Sequence, residues 1–389
     1  MTVFSRAKFI ENELIEWYEL FHMCPEIGMD LPVTSARVKK LLTDWNVDFK
    51  EIIPHGLIAR IGKKESKTIL LRADMDALPI QELTGLPYAS KTVGCMHACG
   101  HDMHTVMLLG AAKILKESEA ELNGSVLLMF QPGEETVTGA KKMVDAGALS
   151  NPRPDYAIAM HVSGMPFKTG SVSLIKGEFA ASVDNFRVEI QGKGGHGSSP
   201  HESTNPIYVA MKIIEMFNDI GRNEIDPQIP SVIHVCSVQA GESAYNVIPD
   251  TATFRGTIRF FDESKRADTI NRLQDATRVI GTLCHCEAAF HIDVACPSTH
   301  NDSDFTDTVF GWLSEGINEM AVENLAMKMM GSEDFSYIAQ DIPSSYMILG
   351  AGTPEYATYP PHHPKVQFDE RALVCGVSVH VTCALSYLK

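Results

Sequence analysis

Ser125-Val126-Leu127-Leu128-Met129-Phe130-Gln131-Pro132-Gly133-Glu134-Glu135 passes from an apolar run straight into a Pro-Gly turn and two carboxylates. A short unbroken apolar stretch bounded by a turn reads as a strand buried on both faces, the kind a parallel sheet uses. Two further runs share this layout. Thr68-Ile69-Leu70-Leu71 leads into Arg72-Ala73-Asp74-Met75-Asp76, and Tyr156-Ala157-Ile158-Ala159-Met160 ends in His161. Residues 103–117 and 139–148, lying between these runs, carry helical spacing. Strand–helix–strand alternation with apolar strands predicts an α/β fold with a mostly parallel sheet. Such sheets bind ligands beyond the carboxyl ends of their strands, and the polar residues of all three runs fall there.

The pattern changes between residues 183 and 296. Residues 183–190 alternate as a strand with one solvated face does. A helix is expected over 205–219, strands over 231–239 and 251–260, a helix over 265–280 and a strand over 288–294. That β-α-β-β-α-β order is the split, ferredoxin-like unit. Residues 303–319 and 368–387 then read as helices, 345–349 as another buried strand, and 7–21 as an amphipathic helix near the start. The expected organisation is an α/β domain over 1–182 and 297–389, interrupted by an α+β insertion over 183–296.

Bulk properties exclude several classes. The 389 residues are 44% hydrophobic, enough for two domains with their own cores. No run of eighteen apolar residues offers a membrane span, and the first residues lack the apolar stretch of a signal peptide. A formal charge of −16 without a Lys/Arg cluster argues against nucleic acid. The nine cysteines are odd in number and irregular in spacing, which reads as reduced thiols in a cytoplasmic protein. Cys284-His285-Cys286 has no second pair nearby and reads as packing rather than ligation.

Met96-His97-Ala98-Cys99-Gly100-His101-Asp102-Met103-His104 sets a thiol and an imidazole one glycine apart. Glycine permits the tight bend that turns both donors to one point. A thiolate with an imidazole suits zinc, manganese, nickel or cobalt better than calcium or magnesium. Asp102 and His104 are placed to orient those donors from behind. Of Glu134 and Glu135, one can ligate a cation while the other faces a water, the division of labour in metal-assisted hydrolysis. His161 follows a strand, and His362-His363 sit in a loop stiffened by Pro360, Pro361 and Pro364. A histidine in either place is, taken singly, more often structural. Together Cys99, His101, Glu135, His161 and His362 offer five donors, which fits two divalent ions sharing a ligand better than one. The spacing leaves open which donor bridges.

In the insertion, Gly192-Lys193-Gly194-Gly195-His196-Gly197-Ser198-Ser199-Pro200-His201 fits neither the Walker nor the Rossmann pattern. It reads as a loop presenting His196 to an oxyanion. Asn246 and Arg259, flanking the next two strands, are candidates to meet a substrate carboxylate, for which arginine has suitable geometry.

Taken in order, Met-His-Ala-Cys-Gly-His-Asp at 96–102, Gln-Pro-Gly-Glu-Glu at 131–135, Met-His at 160–161, Gly-Gly-His at 194–196, Gly-Ser-Glu-Asp-Phe at 331–335 and Pro-His-His-Pro at 361–364 resemble the di-metal aminoacylase/hippurate hydrolase family. The opening Phe21-His22-Met23-Cys24-Pro25-Glu26-Ile27-Gly28 is similar to that family's too, so the resemblance covers nearly the whole chain. It implies a metal-binding α/β domain with an inserted lid that often mediates dimerisation, giving a homodimer or homotetramer. It implies Cys99, His101, Glu135, His161 and His362 as ligands of two divalent ions, with Glu134 as general base and then acid. It implies an acid behind the ligands at Asp76, an oxyanion role for His196, and substrate contacts at Asn246 and Gly331. Met103 stands where the family has glycine, and Pro361 and His363 replace its leucine and its serine or asparagine; no ligand is lost.

The function expected is metal-dependent hydrolysis of the amide bond of N-acyl amino acids of the hippurate or N-acetyl type. A dipeptidase or carboxypeptidase with the same site is the nearer alternative. A non-catalytic binding protein for amino-acid conjugates is the more distant one, and its signature, a missing ligand or base, is not present in the sequence.

Overall fold

The computed structural model describes residues 1–62, 67–242, 244–354 and 359–388. The chain packs as two compact units, one comprising Met1–Phe179, His300–Lys328 and Asp334–Lys389, the other Ala180–Thr299 and Met329–Glu333.

The larger unit is built on an eight-stranded sheet. Its order across the sheet is Asp48–Ile53, Gly56–Ile61, Ser125–Gln131, Thr68–Asp74, Tyr156–Lys168, Ser344–Gly352, Ser171–Leu174 and Ala321–Asn324. The middle four strands, from Ser125–Gln131 to Ser344–Gly352, are mutually parallel, as the apolar runs require. Every residue of Ser125–Gln131, Thr68–Asp74 and Ser344–Gly352 is buried. A hairpin, Asp48–Ile53 with Gly56–Ile61, closes one edge antiparallel. Ser344–Gly352 lies between Tyr156–Lys168 and Ser171–Leu174, two strands that follow each other in the chain, parallel to the first and antiparallel to the second.

Helices His101–Glu117 and Ala372–Leu388 pack on each other and on the sheet. Both are apolar nearly all round, which suits helices covered on every side. At the N-terminus the helix expected over 7–21 is two helices, Val3–Phe9 and Glu11–His22, broken at Ile10. The break lets the first pack mainly on the last helix and the second on His101–Glu117, while Ile10 itself is buried. The helix expected over 303–319 stops at Gly316, and the one expected over 368–387 begins at Ala372. Asp369 delays that start: its N–H is tied to the carbonyl of Ala351 at 2.9 Å and its side chain accepts from the backbone N–H of Arg371 at 3.0 Å.

The smaller unit carries a four-stranded antiparallel sheet in the order Ser231–Ala240, Thr251–Phe260, Val183–Gln191, Glu287–Cys296. Helices Pro206–Asn223 and Glu263–Leu283 complete the β-α-β-β-α-β sequence. Its core interleaves Phe186, Val188, Phe254 and Ile258 with Ile213, Phe217 and Leu273. Among the described residues no helix is long and apolar enough to cross a membrane.

Candidate metal centre

The site lies at the carboxyl ends of the parallel strands of the larger unit. Gly100, the cap of helix His101–Glu117, has φ +83°. A Cβ there would run into the side chain of Val162, so the position needs glycine for its left-handed backbone and for its close approach. The bend delivers Cys99 and His101. The strand Tyr156–Lys168 supplies His161 from within its length, since it continues beyond the expected end. Its pairing with Thr68–Asp74 stops at Ala159, however, so His161 still stands past that neighbour's ladder. The turn after Ser125–Gln131 supplies Glu134 and Glu135. His362 adopts φ +66°, with its N–H donating to the carbonyl of Ala98 at 2.9 Å.

Cys99 Sγ lies 3.3 Å from Nε2 of His161 and 3.3 Å from Nε2 of His362. His362 Nε2 is 3.5 Å from Glu135 Oε1. His101 Nε2 is 3.9 Å from Glu134 Oε2 and 4.0 Å from Glu135 Oε1. The donor atoms of Cys99, His101 and His161 all fall within 4.8 Å of one another, as do those of Cys99, Glu135 and His362, and those of His101, Glu134 and Glu135. Cys99 belongs to both of the first two groups. The five expected donors and Glu134 are therefore brought together.

Both ring nitrogens of His101 and Oε1 of Glu135 are buried with no hydrogen-bond partner among the described residues. Buried polar atoms are nearly always satisfied, so these atoms fit a cation as their partner, and the sulfur, nitrogen and oxygen set suits a transition metal. The Nδ1 of His161 donates to the carbonyl of Val162 at 2.6 Å, which leaves Nε2 with a free lone pair beside Cys99. Burial, reinforced by His104 and His101, pulls His161 down to about 3, so its imidazole is neutral. Burial also pushes the Cys99 thiol and the Glu135 carboxyl up; an adjacent cation reverses that preference by favouring the anionic forms.

A scaffold of buried polar groups holds these donors. Asp76 accepts from the backbone N–H of Glu134 at 2.9 Å and of Glu135 at 3.1 Å, and its Oδ1 is 3.6 Å from Nδ1 of His101. His104 donates from Nδ1 to Asp74 at 2.6 Å and accepts at Nε2 from the N–H of Val162 at 2.9 Å. Asp102 turns away from this group. Its carboxylate accepts from His22 at 2.6 Å, and Glu82 lies 3.4 Å from the other ring nitrogen. The turn itself is strained, with Val137 at φ +49°, an outlying conformation for a β-branched side chain of the sort that collects at functional sites.

In the smaller unit, Gly195–His196 pairs with Val247–Ile248, and the N–H of Gly197 donates to the carbonyl of Asn246 at 2.7 Å. His196 and Asn246 are thus neighbours. The Nδ1 of His196 accepts from the N–H of Ser198 at 3.2 Å, which places the ring proton on the exposed Nε2. Arg259 is tied to the stretch around Gly331: its Nη1 donates to the carbonyl of Met330 at 3.0 Å and to Ser332 Oγ at 2.8 Å, on either side of that glycine.

Reading the sequence missed Arg72, Asp74, Gln131, His22 and Asp334. The alternation of Arg72 and Asp74 along one strand was a usable signal, because residues two apart share a face. Charges on one face of an otherwise apolar central strand need buried partners.

Residues 70–386 match peptidase family M20/M25/M40. The chain is 36% identical to thermostable carboxypeptidase 1 of Saccharolobus solfataricus, over 97% of this chain and 96% of that protein. It is 36% identical to the N-acetyl-L-cysteine deacetylase of Bacillus subtilis, over 94% and 86%, and 35% identical to the hippurate hydrolase of Campylobacter jejuni, over 98% of each. The crystal structure of a dinuclear metal-binding peptidase of the M20 family from Bacillus subtilis superposes with a TM-score of 0.82 at 31% identity, covering 98% of this chain and 99% of that one. With its strand order, its cluster of six donors and bases at the strand ends and these relationships, the chain belongs to peptidase family M20/M25/M40 and is an amidohydrolase of that family.

Proposed function

We propose that the protein hydrolyses the amide bond of N-acyl amino acids, of the hippurate or N-acetyl type, using two divalent transition-metal ions held by Cys99, His101, Glu135, His161 and His362. The observation that carries this reading is the pair of three-donor groups sharing Cys99, with Glu134 beside them. Cys99 would contribute a donor to both of these groups. The deacetylase and hydrolase relatives support the substrate class.

When bound, such ions polarise the scissile carbonyl and lower the pKa of the attacking water. Glu134 takes a proton from that water as its oxygen bonds to the carbonyl carbon. It returns the proton to the amide nitrogen as the C–N bond breaks, releasing a carboxylic acid and an amino acid. Asp76 keeps Glu134 and Glu135 in register by holding their backbone. His196 donates from Nε2 to the developing oxyanion, and Asn246, Arg259 and Gly331 meet the substrate's carboxylate end.

The smaller unit is proposed to act as a lid and as the surface of a homodimer or homotetramer. Its sheet-edge strand Ser231–Ala240, which exposes Val238, supports this, as do the exposed Tyr208 and Met211 on its first helix. The reading places the enzyme in the cytoplasm, where its nine unpaired thiols stay reduced.

The relationship to a carboxypeptidase favours a second reading, cleavage of a C-terminal residue from short peptides by the same site. Metal analysis of the purified protein, followed by amine-release assays on N-acetyl amino acids, hippurate and dipeptides, tests both. Two ions per chain and turnover of the N-acyl compounds are expected. Turnover confined to the dipeptides would replace the first reading with the second, and a metal-free, inert protein would remove both.

A further inference from the structure

The turn that carries Glu134 and Glu135 is held at its middle by Asp76, but its two ends are held by another side chain. Asp334 accepts from the Nε2 of Gln131 with both oxygens, at 2.8 and 2.9 Å, and its Oδ2 accepts from the N–H of Ala140 at 2.9 Å. Gln131 is the last residue of the strand entering the turn, and Ala140 lies in the first turn of the helix Gly139–Asp145 leaving it. One carboxylate thus pins both ends of the segment 131–140.

Arg72 completes the arrangement. Its Nη2 donates to Asp334 at 2.9 Å, its Nε to Oε1 of Gln131 at 2.9 Å and its Nη1 to Asp74 at 2.6 Å. Asp74 in turn receives the proton of His104, whose other nitrogen holds the N–H of Val162 beside His161. Arg72 is 2% exposed, and Gln131, Asp74 and Asp334 are fully buried. Ion pairs so deep recover little net stability, because desolvation offsets the attraction. Their value is directional: a bifurcated carboxylate and a guanidinium fork fix the positions of the groups they join.

We propose that Asp334 is a positioning residue of the hydrolytic site, holding the turn that presents Glu134 and Glu135 through Gln131 and Ala140, with Arg72 as its counter-charge. The proposal rests on the reading of Glu134 as the base. It gives Asp334 a task distinct from the substrate contact proposed for Gly331.

The test uses the metal-loaded enzyme and whichever of N-acetyl-L-cysteine and hippurate it turns over faster. Asp334→Asn, Gln131→Ala and the double variant are compared with wild type in kcat, KM, metal content and thermal midpoint. Each single change is expected to lower kcat about 10- to 100-fold, with KM and metal content within about threefold. The double variant is expected to be no slower than the worse single one, since both cut the same link. A normal kcat in Gln131→Ala overturns the proposal even if Asp334→Asn does not fold. So does a fall in kcat that only follows lost metal or lost folded protein, or multiplicative losses in the double variant. Glu134→Gln, run alongside, separates the two ideas: full activity there defeats the base assignment, whereas inactivity there with normal kcat in the other variants defeats the positioning role alone.

Discussion

Asp76 holds Glu134 by its backbone rather than by its side chain, one carboxylate oxygen accepting the Glu134 N–H at 2.9 Å while the other takes that of Glu135 at 3.1 Å. Asp76 thereby fixes the backbone from which the Glu134 carboxylate is presented. Asparagine at position 76 retains one acceptor but turns an amide toward the second N–H. Asp76→Asn is expected to lower kcat/KM about 10- to 100-fold, read in steady-state assays beside a metal determination.

Removing the base leaves the donors in place. Glu134→Gln is expected to bind metal as wild type does while kcat falls about 100- to 10,000-fold, the range of general acid–base catalysis. Elemental analysis with stopped amine-release assays checks both halves, and near-normal turnover sinks the assignment.

Cys99 is common to two donor groups, so its loss touches both proposed ions at once. Cys99→Ala is expected to drop metal content from about two ions to below one per chain, whereas His362→Ala leaves one ion bound. Equal metal content in the two variants would show that Cys99 does not serve both donor groups.

Gly139 sits where a Cβ would overlap the carbonyl oxygen of Pro132. Gly139→Ala must open the turn between Gln131 and Ala140. A loss of about 1–3 kcal/mol, as for other overpacked sites, is expected in denaturant unfolding, with metal affinity falling in parallel because Glu135 is displaced.

His22 is buried, which by itself lowers its pKa, but its bonds to Asp102 and Glu82 prevail and raise it to about 10. A raised folded value stabilises the folded chain fully below the unfolded value of about 6.5, and that stabilisation is lost as pH rises through about 10. Thermal midpoints of wild type and His22→Gln are therefore expected to differ most near pH 6 and to converge above pH 10. A gap that widens with pH contradicts the ion pair.

The parallel strands and the convergence of Cys99, His101, Glu135, His161 and His362 were legible because they rest on residue type: unbroken apolar runs, and sulfur, imidazole or carboxylate beyond them. Asp76 and His104 were legible behind them, but the other supporting groups were not. Asp102 reads as a partner for the neighbouring His101, yet it bonds to His22, which lies eighty residues earlier in the chain. Arg72 and Asp334 lie 262 residues apart, and no local pattern joins them. The break at Ile10 was hidden because the helices on either side keep an amphipathic spacing. His161 looked like a strand end since its apolar run stops there, whereas the backbone pairing with Ser344–Gly352 carries on past it.

The placement of Ser344–Gly352 between Tyr156–Lys168 and Ser171–Leu174 dictates an order of assembly. Those two neighbours leave the ribosome almost together, and the strand that separates them in the sheet follows some 170 residues later. The contiguous β-α-β-β-α-β stretch between them has all its strands in hand long before then. Late closure of a central sheet, with its long-range pairing, is slow and exposes unpaired edges. The donor cluster is therefore complete only after both Ser344–Gly352 and His362 have been made.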